Sequence, residues 1–240
     1  MKARLLFRFI FCCLASSVLA QPTNSGPQLV KHFEAEVRVK VQYDYLLFLP
    51  EDYAKSRKRW PLILFLHGSG ESGTNLLKIK KLGPPKILDA RPDFPFIVVS
   101  PQSRGNGWNP DALNALLDDV IHNYRVDKDR VYLTGASMGG TGTWTLASAY
   151  PEKFAAIAPI SSGGETGDVK KLARMPIWAF QGARDPTVKA TRIEATVAAF
   201  RAAGSDIKLT IYPDAAHDAW TKAYDTPELY QWFLEQKRRR

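Results

Sequence analysis

The sequence has little cysteine, and this scarcity limits how the protein can be stabilised. Only two of the 240 residues are cysteines, and both of them, Cys12 and Cys13, lie within the first twenty residues. A chain from which this segment has been removed has no cysteine and cannot form a disulfide. Such a chain depends on its apolar core, which a domain of about 200 residues can make large enough.

The segment that contains both cysteines has the pattern of a secretory signal peptide. Three basic residues precede or flank an apolar run at 5–19: Lys2, Arg4 and Arg8. The segment ends in Val18-Leu-Ala20, with a small residue at the cleavage position. We predict a signal peptide at residues 1–20, cleaved after Ala20, and hence a secreted or periplasmic protein. The run is too short and too poorly flanked for a membrane anchor, so we expect no membrane insertion.

Most of the excess basic charge lies at the two ends of the chain. The formal net charge is +9, but three of these charges belong to the predicted signal peptide and four to Lys237–Arg240, which leaves +2. We therefore predict no nucleic-acid partner. The basic tail at 237–240 is typical of a solubilising end, and attraction to an anionic polymer or envelope is the alternative.

The strongest pattern is an apolar strand that breaks into a glycine-rich turn and then into a helix. The strand is Val131–Leu133, the turn is Gly135-Ala-Ser137-Met-Gly139, and the helical pattern runs from Thr143 to Ala149. In a nucleophile elbow of this kind the serine has a strained backbone conformation, and a side chain at either glycine would collide with a neighbouring element. We predict that Ser137 is a nucleophile whose hydroxyl group projects above the sheet.

A serine hydroxyl group needs a base, and histidine is scarce in this sequence. Of the four histidines only His217 follows Ser137 in the chain. Asp185 comes directly after a short apolar strand and is predicted to hold the imidazole, with an acid on the loop after an earlier strand as the alternative. The order Ser137, Asp185, His217 is the order found in the α/β-hydrolase fold.

The third requirement is a pair of amide donors for the oxyanion of a tetrahedral intermediate. The apolar run 62–66 leads into His67-Gly-Ser-Gly-Glu-Ser-Gly73, where missing side chains let backbone amides approach a substrate. We predict that one donor is the amide of Met138, next to the nucleophile, and that the second is the amide of Ser69. His67 is expected to orient this turn through a hydrogen bond.

Strand patterns alternate with helical patterns along most of the chain. The predicted strands are 62–66, 96–100, 131–134, 155–160, 177–180 and 207–212, after an antiparallel pair within Glu34–Leu49 at one sheet edge. The clearest helix begins with Asn109 as its cap and Pro110 as its first residue. This pattern predicts an α/β fold with a mainly parallel sheet covered by helices on both faces. The fifteen or so residues between Ile160 and Pro176 are too few for a large lid.

We expect a single domain at residues 34–236, between a disordered lead-in at 21–33 and the basic tail. The lead-in is assigned because residues 22–28 contain two prolines and a glycine. No cluster of ligand residues has the spacing of a metal site, so we predict neither a metal nor another cofactor. The motifs carry no information on the oligomeric state.

The motifs resemble those of the α/β-hydrolase superfamily. The matching segments are Leu66–Gly73, Gly135–Gly140, Gly182–Pro186 and Ala216-His217 with Trp220 nearby. Within the superfamily the chain is most similar to the compact carboxylesterase, feruloyl esterase and polyhydroxybutyrate depolymerase-like group, which includes proteins labelled predicted peptidases. The resemblance runs from about Val39 to the end of the chain. It implies ester hydrolysis through an acyl-serine.

Three functions follow from the motifs and this resemblance. The first is an exported serine carboxylesterase that acts on short-chain or aromatic, feruloyl-like acyl esters, whose alcohol is a small molecule or part of a polysaccharide. The others are a serine peptidase of the same fold and a non-catalytic binding protein of that fold. Trp108 and Trp220 fall on loops at the predicted catalytic edge, where substrate contact and simple packing are both compatible with the pattern.

Overall fold

Seven strands in the described part of the chain form one sheet, and most of them coincide with apolar runs of the sequence. The structure is a computed structural model that describes residues 32, 34, 40–105, 107–164 and 169–238. The strands are β1 (Tyr45–Phe48), β2 (Trp60–Leu66), β3 (Ile97–Pro101), β4 (Val126–Ala136), β5 (Ala156–Ile160), β6 (Trp178–Gly182) and β7 (Lys208–Tyr212). Their order across the sheet is β1-β3-β2-β4-β5-β6-β7.

The strands from β2 to β7 are parallel, so their carboxyl ends meet at one edge of the sheet. The predicted strands that correspond to them are confirmed. β4 begins earlier than predicted, because Val126 pairs with Trp60 before a register shift that leads into the main ladder. The loops that carry chemistry in parallel α/β sheets leave from this carboxyl edge.

An antiparallel strand lies at the predicted edge of the sheet. β1 is the outermost of the described strands on this side and pairs with β3, with Tyr45 opposite Pro101 and Phe48 opposite Val98. Val41 is described and lies outside any strand, whereas residues 37–39 lie outside the described residues, so the predicted pairing within Glu34–Leu49 stays a prediction. The fully buried β3 needs a neighbour on its outer side, and β1 satisfies its backbone hydrogen bonds there.

The sheet belongs to a compact unit that spans Val41–Arg240. The predicted signal peptide at 1–20 lies outside the described residues. The same holds for all of the predicted lead-in except His32, and for the last two residues of the basic tail. The domain boundaries given above therefore stay predictions.

Helices pack against both faces of the sheet. The described helices are α1 (Pro84–Ile87), α2 (Pro110–Asn123), α3 (Met138–Ala149), α4 (Val169–Leu172), α5 (Ala190–Ala202), α6 (Ala219–Tyr224) and α7 (Pro227–Glu235). Short 3₁₀ turns lie at Ser69–Glu71, Leu76–Lys81, Leu88–Ala90 and Pro151–Lys153. In the part of the chain that the structure describes, no helix is both long enough and apolar enough to cross a membrane. The described part of the β5–β6 connection contains only the four-residue helix α4.

The start of α2 is determined by its own sequence. The Asn109 side chain accepts a hydrogen bond from the Ala112 amide at 2.9 Å, and Pro110 occupies the first turn. Both features satisfy or remove amides that have no partner at a helix start. The buried side chains of α2 are Ala112, Leu113, Leu117 and Val120, which recur at helical spacing and form one apolar face.

The core consists of two layers separated by the sheet. Alternate residues of β2 point to opposite faces, so Leu62, Leu64 and Leu66 lie in one layer while Ile63 and Phe65 lie in the other. Buried residues of α2, α3 and α5 complete the first layer, and buried residues of α6 and α7 complete the second. The central strands are therefore fixed from both sides, which makes their carboxyl ends a rigid base for loops.

We predict that Gly139→Ala severely destabilises the protein. A Cβ atom at Gly139 would lie 1.9 Å from the Leu66 carbonyl oxygen, which belongs to the backbone of a central strand. Overpacking usually costs about 1–3 kcal/mol, and a backbone collision inside a rigid sheet is expected to exceed the upper end of that range. Urea unfolding measures the free energy of unfolding.

Gly70→Ala is the matched control for this substitution. A Cβ atom at Gly70 would meet nothing within 4 Å, so its effect should stay within about 0.5 kcal/mol. Equal stability of the Gly139 and Gly70 variants would contradict the contact that we describe.

Candidate active site

Ser137 lies in the turn between β4 and α3 and has the strained backbone that the motif predicts. Its φ is 55° and its ψ is −113°, a region that costs a non-glycine residue on the order of 1–3 kcal/mol. The Ser137 amide donates to the Ile160 carbonyl oxygen at 2.9 Å. A Cβ atom at Gly135 would lie 2.4 Å from the Gly139 carbonyl oxygen, and one at Gly139 would lie 1.9 Å from the Leu66 carbonyl oxygen. The turn therefore has no room for a side chain at either glycine.

The three side chains predicted to act together are joined by two hydrogen bonds. Ser137 Oγ lies 2.8 Å from His217 Nε2, and His217 Nδ1 lies 2.8 Å from Asp185 Oδ2. An ionised carboxylate only accepts hydrogen bonds, so the His217 proton lies on Nδ1 and Nε2 presents its lone pair to the serine hydroxyl group. Ser137 follows β4, Asp185 follows β6 and His217 follows β7, so all three lie at the carboxyl edge of the sheet.

Asp185 is held ionised in a buried position. Its side chain is fully buried, whereas that of His217 is 24% exposed. Oδ1 accepts from the amides of Thr187 and Val188 at 2.8 and 2.9 Å. Burial raises the pKa of the Asp185 carboxyl group, but the hydrogen bonds from His217, Val188 and Thr187 outweigh burial, and the pKa lies below its usual value.

Gln181 is a member of this site that the sequence analysis missed. It is fully buried on β6, and its Nε2 donates to Asp185 Oδ2 at 2.7 Å and to the Val188 carbonyl oxygen at 2.9 Å. The side chain therefore fixes the carboxylate and the turn that follows it. The available signal was a single polar residue inside the apolar strand Trp178–Gly182, since buried polar groups almost always have a partner.

The predicted oxyanion turn lies directly beside the nucleophile. A Cβ atom at Gly68 would lie 3.7 Å from Ser137 Cβ, so the turn after β2 packs against Ser137. Ser69 begins a 3₁₀ turn and Met138 begins α3. Among the hydrogen bonds of the described residues, neither of these two amides donates to a backbone acceptor. Both donors are thus free to bind a substrate oxygen, and their role as an oxyanion hole stays a prediction.

His67 holds the turn after β2 against the loop after β3. It is fully buried, and its Nε2 accepts from the Ser103 amide at 3.0 Å. The proton is therefore on Nδ1, which donates to the Gly68 carbonyl oxygen at 2.6 Å. Burial lowers the pKa of His67, despite the opposing effect of the Gly68 carbonyl, and this favours the neutral ring that these two hydrogen bonds need.

The two tryptophans singled out in the sequence lie in different surroundings. Trp108 Nε1 donates to the His67 carbonyl oxygen at 3.3 Å, and its ring packs edge-on against the His67 ring with centroids 4.9 Å apart. A Cβ atom at Gly142 would lie 2.7 Å from Trp108 Cδ1, so the ring is also wedged against α3. Trp220 lies on α6 and not on a loop as predicted, and its ring contacts the His217 ring edge-on with centroids 5.2 Å apart. Substrate contact by either residue stays a prediction.

Glu71 places a second carboxyl group beside the oxyanion turn. Its Oε2 would lie 3.4 Å from a Cβ atom at Gly68. Burial raises the pKa of the Glu71 carboxyl group above its usual value, although the amides of Glu71 and Gly68 and the charges of Lys81 and Lys78 lower it. Within the described ranges no group of three or more His, Cys, Asp or Glu residues is arranged to hold a metal ion.

We predict that Glu71→Gln stabilises the protein at neutral pH. A carboxyl group whose pKa is raised by folding adds stability below its unfolded-state pKa and loses that contribution as the pH rises through the folded-state value. Glutamine is neutral at every pH. The melting temperature of the Glu71→Gln protein should therefore exceed that of the wild type at about pH 7 and approach it below about pH 4. Melting curves across this range provide the test.

Glu194→Gln, on the exposed face of α5, controls for the loss of one negative charge. A Glu71→Gln protein that melts below the wild type at neutral pH would contradict the prediction.

Comparison with known proteins places this chain in a recognised family. The model of the dienelactone hydrolase family matches residues 102–228, more than half of the chain. A probable feruloyl esterase C from Aspergillus terreus is 30% identical over 69% of this chain and 62% of its own length. The bifunctional acetylxylan esterase/xylanase XynS20E from Neocallimastix patriciarum is 30% identical over 44% of this chain and 17% of its own. The chain thus spans less than two thirds of these relatives.

A solved structure described as a thermostable esterase superposes with a TM-score of 0.70 and is 30% identical. The match covers 81% of this chain and 59% of that one. A ferulic acid esterase, 19% identical with a TM-score of 0.63 over 79% of this chain and 92% of its own, shares the fold. The parallel sheet and the order of the site residues agree with the predicted α/β-hydrolase fold, and this chain belongs to the dienelactone hydrolase family.

Proposed function

We propose that the protein is a serine carboxylesterase that hydrolyses short-chain or aromatic acyl esters through an acyl-serine intermediate. The observation that carries the proposal is the continuous hydrogen-bonded chain from Ser137 through His217 to Asp185. Family membership and the esterases among its relatives support the same activity. The three groups have the mutual geometry that nucleophilic acyl transfer needs before any substrate arrives.

In the first half of the reaction, His217 Nε2 takes the proton from Ser137 Oγ as that oxygen attacks the ester carbonyl carbon. The Asp185 carboxylate accepts the Nδ1 proton of His217 in a hydrogen bond and stabilises the imidazolium. The amides of Ser69 and Met138 stabilise the negative oxygen of the tetrahedral intermediate. Collapse of the intermediate breaks the bond to the alcohol oxygen, which leaves with the proton from His217.

In the second half, His217 removes a proton from water, and the resulting hydroxide attacks the acyl-serine carbonyl carbon. A second tetrahedral intermediate forms at the same amides; its bond to Ser137 Oγ then breaks, His217 returns the proton to that oxygen, and the carboxylic acid leaves. No group other than these side chains, two amides and water takes part in either half of the cycle.

The substrate class in this proposal is an acetyl, short alkyl or hydroxycinnamoyl ester, on a small alcohol or on a polysaccharide. The names of two relatives, feruloyl esterase and acetylxylan esterase/xylanase, support this class. The Trp220 ring packs edge-on against His217 and offers an aromatic surface that suits a planar acyl group or a sugar ring. Export through the segment 1–20 belongs to the same proposal and is supported by its charge and hydropathy pattern.

We expect Ser137→Ala to lower the turnover of p-nitrophenyl butyrate by at least about a thousandfold while the fold stays intact. The variant has no nucleophile, although it keeps the amides and the binding surface. Ser148→Ala on α3 is the matched control, because it removes a buried hydroxyl group that has no partner among the described residues. A fluorophosphonate probe should label the wild type and the control but not Ser137→Ala.

Wild-type turnover in the Ser137→Ala protein would show that the nucleophile is wrongly assigned. A wild type that the probe does not label and that hydrolyses no ester would support a binding protein. Cleavage of peptide anilides in preference to esters would indicate a peptidase.

Acyl-chain length provides a separate test of the substrate class. We expect acetyl, butyryl and feruloyl esters to exceed C12 esters at least about tenfold in kcat/KM, a difference of about 1.4 kcal/mol. A long alkyl chain needs an enclosed tunnel, whereas the described β5–β6 connection supplies only α4 as cover. A kcat/KM that rises steadily from C4 to C16 would overturn this expectation and indicate a lipase-like pocket.

A further inference from the structure

Ser161, the residue directly after β5, has a backbone conformation that its sequence does not require. Its φ is 51°, and among the described residues only Ser137 shares a positive φ without being glycine. Such strain is retained in folded proteins where the surrounding structure imposes it, most often at functional sites. Glycine adopts a positive φ without this cost, so the serine at this position needs another explanation.

The contacts of Ser161 connect it to the base of the proposed triad. Its side chain is fully buried, and its Oγ donates to the His217 carbonyl oxygen at 2.8 Å. Its amide donates to the Phe180 carbonyl oxygen at 2.9 Å, which anchors Ser161 on β6. The hydroxyl group therefore fixes the backbone of His217 to the sheet.

The residue before it fixes the nucleophile. The Ile160 carbonyl oxygen accepts the Ser137 amide at 2.9 Å. Two consecutive residues at the carboxyl end of β5 thus hold the backbones of Ser137 and His217, which are 80 positions apart in the chain. The separation between nucleophile and base depends on this pair of contacts as well as on the 2.8 Å hydrogen bond between the side chains.

We propose that Ser161 is a positioning residue that holds His217 at the distance from Ser137 at which it accepts the serine proton. The inference rests on the proposed function and assigns to Ser161 a part in it. A misplacement of about 1 Å at a catalytic group commonly lowers the rate on the order of a hundredfold, so one hydrogen bond to the backbone of the base has a large effect. The left-handed backbone directs the hydroxyl group to His217 instead of continuing the alternation of β5.

Ser162 provides a matched control at the next position. It is 2% exposed, and its Oγ has no hydrogen-bond partner among the described residues. Ser161→Ala and Ser162→Ala therefore remove the same atom from neighbouring buried positions, but only the first removes a contact with His217. Ser161→Gly removes the same contact and also relieves the positive φ, so it remains folded if the alanine variant does not.

We expect Ser161→Ala and Ser161→Gly to lower kcat for p-nitrophenyl butyrate about tenfold to a hundredfold, with KM changed less than about twofold. A misplaced base should lower kcat and leave KM nearly unchanged, because the substitution does not alter the surface that binds the substrate. Ser162→Ala should stay within about twofold of the wild type in both constants. Wild-type kcat in both Ser161 variants would overturn the inference.

A spectroscopic measurement tests the position of His217 without a substrate. The Nδ1 proton between His217 and Asp185 should give a low-field NMR signal, which is assigned by its loss in His217→Asn. We expect Ser161→Ala and Ser161→Gly to shift or broaden this signal, and Ser162→Ala to leave it unchanged. An unchanged signal in both Ser161 variants would overturn the positioning role even if the wild type proved inactive. Failure of the proposed function would appear separately, as a wild type that neither hydrolyses esters nor reacts with a fluorophosphonate.

Discussion

The close approach of the end of β2 to the start of α3 determines the geometry of the whole site. The Leu66 carbonyl oxygen lies so near Gly139 that no side chain fits between them. This contact holds the turn after β2 against Ser137, where a Cβ atom at Gly68 would lie 3.7 Å from Ser137 Cβ. A wider separation would leave Ser137 in place but would move away the amide of Ser69, one of the two predicted oxyanion donors.

The second constraint is electrostatic, because the site keeps a charge away from water. Asp185 remains ionised since four donors contact its carboxylate: two backbone amides, the Gln181 amide group and the His217 ring. Removing any donor leaves a buried charge poorly solvated, which is costly in a medium of low polarity. The polar contacts around Asp185 therefore stabilise the folded state, and the same contacts orient the imidazole.

The sequence was informative wherever a local rule decides the structure. Glycines at 135 and 139, the cap at Asn109 and the apolar runs of the central strands each depend on neighbours a few positions away. The pairing of β1 with β3 was not predicted, because strand pairing depends on which buried strand lacks a neighbour. Ser161 was missed because it acts through a hydrogen bond to a residue on another loop, and no single segment contains that information. Gln181 lies only four residues before its partner Asp185, and the available signal was its polar side chain within an apolar strand.

The three site residues depend on parts of the sheet that differ in how firmly they are held. Ser137 follows the central strand β4, which has neighbours on both sides, whereas His217 follows β7, which among the described strands pairs only with β6. An edge strand opens at a lower free energy than a central one. On warming, the base should therefore leave the site while the nucleophile and the core are still in place. We therefore expect heat inactivation to begin as a local event at this edge, separate from melting of the core.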